Sequence, residues 1–370
     1  MTDPTRDLLP EGLEDRLPQA AAAAAWIERA ALEKMNAWGY DLVCPPLIEF
    51  ESSMAKRMHG FATRNMFRFV DPSSLRTLAL RSDITVQVGR IAATGLSNRP
   101  RPLRLCYAGQ VARIAGGQLE PRREALQVGA ELVGSDTVAA AAEIVELAIA
   151  TLEAMGGTGI SVDFTLPDVV DTLAVAEFPL DAGQIAAVRR ELDAKDAGAL
   201  KDAGGEAYLP LLYAAGPFEQ AIERLSRIDA SGALTSRIDG LKQIAARVAH
   251  RARLSLDPSE RHGFEYQSWF GFTVYADGVR GTLGRGGTYR IGGSDDPATG
   301  FSLYPEELVE AAAAARPRQD TVFLPLGHDR DAARRLRAAG SRTVAALSDA
   351  DDPQALGCSH RLDGAQSLPL

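Results

Sequence analysis

The stretch from Leu103 to Gly134 constrains the fold more than any other part of the chain. Two runs of apolar and β-forming residues, 103–114 and 125–133, flank residues 115–123, which are rich in Gly, Pro and charge. That pattern predicts a long antiparallel hairpin with an irregular tip. In the second run Gln127 and Glu131 are four apart, so in a strand they point to the same face. Leu126, Val128 and Leu132 do not complete a clean alternation around them, which leaves a bulge or burial of both faces. A Gln and a Glu on one face of a central strand are costly unless partnered. A bound polar ligand would partner them, and so would a network closed within the protein.

The rest of the chain reads as helices and strands around that hairpin. Residues 14–38 are Ala-rich and helical, with Pro18 in the first turns and Gly39 as the stop. A short strand, 40–44, precedes Pro45-Pro46. Residues 66–70 and 77–80 form paired strands around Asp71-Pro72-Ser73-Ser74. Ser82 or Asp83 caps a helix over 84–93, which leaves Asp83 either a plain cap or a carboxylate facing a ligand's ammonium group. Asp136 and Thr137 start a helix over 138–155, and 160–164 alternate as a strand. Residues 167–253 turn Ala-rich and helical, an insertion between two sheet-forming halves. Strand character returns at 254–256 and dominates 264–283, with a hairpin turn at Ala276-Asp277-Gly278 and a return strand over 279–283. Gly284-Arg285-Gly286-Gly287 is a weak phosphate-cradle signal, because the Lys-Ser/Thr of a P-loop is missing. Glycines in strands mark close backbone approach. A short strand over 299–303 and a helix over 306–315 follow. The fold class is α+β: residues 1–316 form one domain with the insertion at about 167–253. Residues 317–370 form a short α/β appendage, at most a βαβ unit with a polar tail.

Composition narrows the function classes. At 370 residues and 46% hydrophobic content a substantial core is available. A net charge of −9 argues against a generally nucleic-acid-binding surface. Cys44, Cys106 and Cys358 are far apart and the histidines scattered, so neither disulfides nor a metal site is expected. No stretch is long and apolar enough to span a membrane, and a cytoplasmic location with no cofactor is expected.

Several stretches together resemble a class II histidyl-tRNA synthetase over roughly residues 5–315. Gly39-Tyr40 through Pro46-Leu47-Ile48-Glu49 is similar to motif 1, and Leu80-Arg81-Ser82-Asp83-Ile84-Thr85 to the synthetase stretch LRPEGT. Gln127 through Gly134 is similar to QLGCEVFG, and Gly286-Gly287-Thr288-Tyr289 to GGRYD. The resemblance implies an antiparallel sheet flanked by helices and a self-dimer through motif 1. Its departures fall on one side of the site. The motif 2 Arg, which contacts ATP in the family, is present as Arg113, but its companion Glu is Ala115. In motif 3, GLERL, Gly has become Tyr304 and the phosphate-gripping Arg has become Glu307. In RGLDYYTG the adenylating Arg has become His262 and the second Tyr Gln267. Exchanging a phosphate-binding cation for an anion turns attraction into repulsion. Residues 317–370 are too few for the family's anticodon-binding domain.

The amino-acid half is mostly kept. Asp83, Thr85, Arg113, Gln127, Glu131 and Tyr266 form the candidate ligand site, with no catalytic residue among them. Asp83 and Glu131 would face an α-ammonium, and Gln127 and Arg113 would orient the carboxylate or the ring. This combination resembles the histidine-biosynthesis paralogues of the synthetase, the regulatory subunits of ATP phosphoribosyltransferase. That resemblance implies a non-catalytic partner of a short-form catalytic subunit in a hetero-octamer, with L-histidine as feedback effector. Two alternatives stand beside it: a truncated synthetase-like ligase that activates an amino acid, and a scaffold that activates its partner without binding histidine.

Overall fold

The computed structural model describes residues 9–55, 66–114, 122–261, 267–292, 294, 296–315 and 320–370. The chain divides into two compact units, Met1–Ala313 and Ala314–Leu370.

In the first unit helix α1 (Pro18–Ala37) starts at Pro18, because Leu17 is extended and a proline fits the first helical position. The helical pattern from residue 14 is thereby cut short. Its buried stripe is Ala23, Ala24, Ile27, Ala31 and Met35, and Gly39, at φ +82°, closes it in the left-handed region. Strand β1 is Asp41–Leu42. A small sheet follows, made of β2 (Ile48–Phe50), β3 (Arg68–Val70) and β4 (Thr77–Leu80), in the order β2-β4-β3, with a short helix α2 (Glu51–Ala55). Asp71 organises the β3–β4 turn by accepting hydrogen bonds from the Ser73 and Ser74 amides. Helix α3 (Thr85–Ala93) comes next.

The predicted hairpin is β5 (Leu103–Ala112) and β6 (Glu124–Val133), paired without a register shift from Leu103↔Val133 to Ala112↔Glu124. Of the two options left open, burial of both faces holds, and no bulge forms. Helix α4 (Val138–Ala154) is capped by the Thr137 side chain and buried almost all round. Its alanines admit the sheet on one side and α1 on another. After β7 (Ser161–Thr165) comes the insertion: α5 (Val169–Ala176), α6 (Ala182–Asp193), α7 (Ala197–Asp202), α8 (Leu209–Leu212), strand β8 (Gly216–Pro217), α9 (Phe218–Ile228) and α10 (Thr235–Val248). Strands β9 (Arg253–Leu256), β10 (Gln267–Tyr275), β11 (Gly284–Arg290) and β12 (Pro297–Leu303) and helix α11 (Glu306–Ala315) complete the unit.

Among the described residues the main sheet runs β1-β5-β6-β12-β11-β10-β7-β9-β8. From β5 through β7 every pairing is antiparallel, as expected. The β1–β5 and β7–β9 pairs are parallel, because each is joined by a long crossover, so the whole sheet is mixed. The insertion also donates an edge strand, β8, to this sheet, and its apolar residues share the sheet's core, with Phe218 edge-on to Phe164 at 5.7 Å.

The return strand expected over 279–283 starts instead at Gly284. Gly278 and Gly281, at φ +75° and +71°, spend the intervening residues on turns. The glycines of 284–287 are therefore strand glycines and make no loop cradle. A Cβ on Gly286 would lie 2.5 Å from the Gly300 carbonyl oxygen, so they mark close packing of strands.

The second unit holds β13 (Thr321–Leu324), α12 (Arg330–Ala338), β14 (Arg342–Ala345), β15 (His360–Asp363) and β16 (Gln366–Pro369), with strand order β14-β13-β15-β16. Ala332, Ala333 and Leu336 of α12 pack on Val322, Leu324 and Leu362. The polar tail is thus a β-hairpin, and the unit exceeds the βαβ expected. Its turn signal is Asp363-Gly364, with Gly364 at φ +56°. No helix among the described residues is long and apolar enough to cross a membrane.

Candidate functional site

The two faces of the main sheet carry different chemistry. One packs on α1 and α4 through Cys106, Leu126, Val128, Ala130 and Phe301. The other presents Tyr107 from β5, Gln127 and Glu131 from β6 and Ser302 from β12 beneath the first turn of α3. Alternation along β6 puts Gln127, Gly129 and Glu131 on this second face, as the spacing predicts.

Gln127, fully buried, bonds at both ends of its amide. Its Oε1 accepts the Ile84 N–H at 2.9 Å, and its Nε2 donates to Asp83 Oδ1 at 3.0 Å and Ser302 Oγ at 2.8 Å. Asp83 does not cap α3 as a standard N-cap, since Ile84 occupies that position in helical conformation. Its Oδ1 nevertheless accepts the Thr85 N–H at 2.7 Å. Thr85, Tyr107 and Ser302 form a triangle of hydroxyls, with Thr85–Tyr107 2.9 Å, Tyr107–Ser302 2.9 Å and Thr85–Ser302 3.2 Å. Tyr107 also donates to Glu131 Oε1 at 3.3 Å, and Tyr289 of β11 donates to Glu131 Oε2 at 2.8 Å.

Glycines make the room. A Cβ on Gly300 would lie 1.7 Å from Glu131 Oε2, and one on Gly129 would lie 2.4 Å from the Tyr107 hydroxyl oxygen. Arg81 lies over Gly109 and holds the loop that carries Asp83 by donating to the carbonyls of Gln110 at 2.7 Å and Pro45 at 3.0 Å.

Burial sets the electrostatics. It pushes the Glu131 carboxyl up to about 8, with the Asp83 charge adding and the Tyr289 hydrogen bond opposing. Burial also raises the Tyr107 phenol, reinforced by Glu131 and Asp83. A neutral Glu131 is therefore the dominant form at neutral pH.

Arg113 stands over the ring of Tyr304, its guanidinium carbon 5.0 Å from the centroid, a cation–π contact that occupies both groups. The Tyr304 phenol is raised by burial and by Asp83, and held down by Arg113 and Arg285. Two residues on, Glu306 is buried. It takes the Leu126 N–H at 2.6 Å and a two-pronged bond from Arg16 at 2.7 and 2.8 Å. Glu306 and Glu307 both lie in the first turn of α11, where the helix dipole favours anions.

The structure therefore brings together Asp83, Thr85, Gln127 and Glu131, and places Arg113 over the ring of Tyr304. Tyr266, His262 and Ala115 lie outside the described residues. Sequence reasoning did not single out Tyr107, Tyr289, Ser302 or Arg285 as site residues. Strand parity carried the signal: Tyr107 pairs with Gly129, between Gln127 and Glu131, and Arg285 is two from Gly287 and four from Tyr289, all on the site face. Among the described residues no His/Cys/Asp/Glu group is placed to hold a metal ion.

The sequence profile of the histidyl-tRNA synthetase family matches residues 12–308. An ATP phosphoribosyltransferase regulatory subunit of Rhodospirillum centenum is 39% identical over 99% of this chain and 98% of its own length. One of Paramagnetospirillum magneticum is 39% identical over 96% of each, and one of Gluconobacter oxydans 34% over 99% and 98%. Among solved structures, an ATP phosphoribosyltransferase regulatory subunit/histidyl-tRNA synthetase of Bacillus halodurans superposes with a TM-score of 0.81 at 24% identity, covering 96% of this chain and 97% of that one. A histidyl-tRNA synthetase of Nostoc superposes with a TM-score of 0.75 at 14% identity, covering 96% and 91%. Those superpositions establish the class II synthetase-like fold. The near-full-length identities go further, and the chain belongs to the ATP phosphoribosyltransferase regulatory subunit family, built on a histidyl-tRNA synthetase-type domain.

Proposed function

We propose that this chain serves the first step of histidine biosynthesis as the non-catalytic regulatory subunit of ATP phosphoribosyltransferase. In this reading it assembles with a short-form catalytic subunit in a cytoplasmic hetero-octamer, and its pocket takes L-histidine as feedback effector. The observation that carries it is the asymmetry of the site. The amino-acid end keeps Asp83, Thr85, Gln127 and Glu131 in one hydrogen-bonded group, whereas Arg113 at the other end is covered by Tyr304, with Glu307 close by in sequence. Such a site suits binding without adenylation. Co-purification with a short phosphoribosyltransferase, together with calorimetry showing histidine binding by the complex, tests both parts. Absence of binding would remove the effector role.

A self-dimer fits the first unit's apolar surface. Leu42 on the edge strand β1, Leu47, Ile48, Phe69, Val70 and Leu75 are all exposed, more large apolar side chains than one small sheet leaves in water without a partner. Phe69→Glu should shift the sedimentation coefficient toward the monomer's. An unchanged coefficient would place the dimer contact elsewhere.

The scaffold reading has one observation in its favour. Every polar end of the Gln127 amide is already bonded within the protein, so no ligand is needed to satisfy it. Unchanged histidine inhibition of the complex after Gln127→Ala and Glu131→Ala would decide for the scaffold.

A further inference from the structure

Arg285 is a cation that the strand glycines around it do not explain. On the site face it stands opposite Ser302 of β12 and opposite Thr273 of β10. Facing residues on neighbouring strands have Cβ atoms about 5 Å apart, so Arg285 rises beside the hydroxyl that joins Gln127, Thr85 and Tyr107. Two residues beyond Ser302, Tyr304 receives Arg113 on its ring, and its phenol feels Arg113 and Arg285 as positive neighbours and Asp83 as a negative one. Arg285 also acts on Tyr275. Its guanidinium offers five donors in a planar fork, enough to keep partners in the protein and still take a carboxylate.

The site is thus polarised. Asp83 makes one end acidic, and Arg113 and Arg285 make the other basic. A ligand carrying an ammonium and a carboxylate on one carbon matches both ends, whereas an amine or amino alcohol matches only the first.

We propose that Arg285, together with Arg113, forms a subsite for the carboxylate of the amino-acid ligand and so selects the amino acid over its amino-alcohol analogue. This rests on the reading of the pocket as an amino-acid site. Arg285 is the specificity-determining member, since it stands opposite Ser302, the hydroxyl that joins Gln127, Thr85 and Tyr107.

The test is calorimetric titration of the full chain, assembled with its catalytic partner, with L-histidine and with L-histidinol, which has a hydroxymethyl group in place of the carboxylate. The wild type should bind histidine at least about tenfold more tightly than histidinol, the scale of a charge-assisted hydrogen-bonded pair. Arg285→Gln should lower histidine affinity to the histidinol level and leave histidinol affinity within about twofold. Arg285→Lys keeps the cation without the fork and should retain a reduced preference. It decides the matter if the Gln variant does not fold. Wild-type binding of histidine with an unchanged preference in the folded variants overturns the subsite alone. Equal weakening of both ligands overturns it too, by assigning Arg285 to structure. Wild-type binding of neither ligand overturns the pocket reading and the subsite with it.

Discussion

Glu131→Gln should make the protein more stable as the pH rises. Glu131 is 1% exposed, its carboxyl accepts from the hydroxyls of Tyr107 and Tyr289, and Asp83 adds a like charge nearby. Burial lifts it from 4.5 to about 8. Below the unfolded value the carboxyl is protonated in both states and costs nothing. Above that value the unfolded chain releases the proton while the folded chain keeps it, so each pH unit removes about 1.4 kcal/mol of stability. The loss is complete once the pH passes the folded value, and amounts to an upper bound on the order of 5 kcal/mol. Glutamine keeps the shape and does not titrate: its oxygen accepts from Tyr289 and its amide nitrogen donates to the Tyr107 oxygen. For a chain of this length 1 kcal/mol corresponds to about 1 to 2 °C in Tm. Thermal unfolding of both proteins from pH 5 to 9 should show curves that coincide near pH 5 and separate by several degrees at pH 8 and above, the variant being the more stable. Taking the difference cancels every other titrating group. Parallel curves would show that Glu131 ionises normally and would refute the assignment.

Gly300→Ala should lower stability by about 1–3 kcal/mol through overpacking, because the new Cβ would lie 1.7 Å from Glu131 Oε2. Adding Glu131→Ala should recover part of the loss in thermal melts. Glu306→Ala should cost about 3 kcal/mol in denaturant unfolding by stranding the Leu126 amide and the Arg16 guanidinium together. The purified chain should show no ATP–pyrophosphate exchange. Tyr304→Gly, which uncovers Arg113, should not restore it while Glu307 remains, and exchange by the wild type would reinstate the ligase.

The sequence made the hairpin legible because its signal was local: two long apolar runs around a tip that cannot be a strand. The helix over 306–315 was equally clear, an Ala-rich run directly after the last strand of the sheet. What failed was also local in cause. The β10–β11 turn offered one glycine hairpin at Gly278, but Gly281 adds a second turn, and the return strand starts later. The terminal hairpin lay in a polar stretch whose strands are short and half exposed, so alternation carried little information there. In the site, Gln127 and Glu131 were visible through strand parity, whereas their partners come from elements distant in sequence. Ser302, Tyr289 and Ile84 meet Gln127 and Glu131 only because β12 lies between β6 and β11 and α3 lies across the same face. No spacing rule encodes that order.

The partners also reassign the ligand-binding roles within the proposed pocket. Asp83 accepts N–H donors from Gln127 and Thr85 on one oxygen, which leaves capacity for an ammonium. Glu131 is buried among hydroxyls and holds its proton to about pH 8, which makes it a poor ammonium partner and a good match for a ring nitrogen. A free imidazole has a pKa of about 6.5. Between that value and Glu131's own, the free ligand's ring and the free carboxyl carry one proton between them, the number a hydrogen-bonded pair requires. Below this window a second proton must leave before the pair forms, and above it the only proton is gone. Histidine affinity should therefore be flat between about pH 6.5 and 8 and fall up to tenfold per unit on either side. In Glu131→Gln the alkaline limb should vanish while the acid limb stays. An alkaline limb retained in that variant would assign it to another group and return the ring to a different partner.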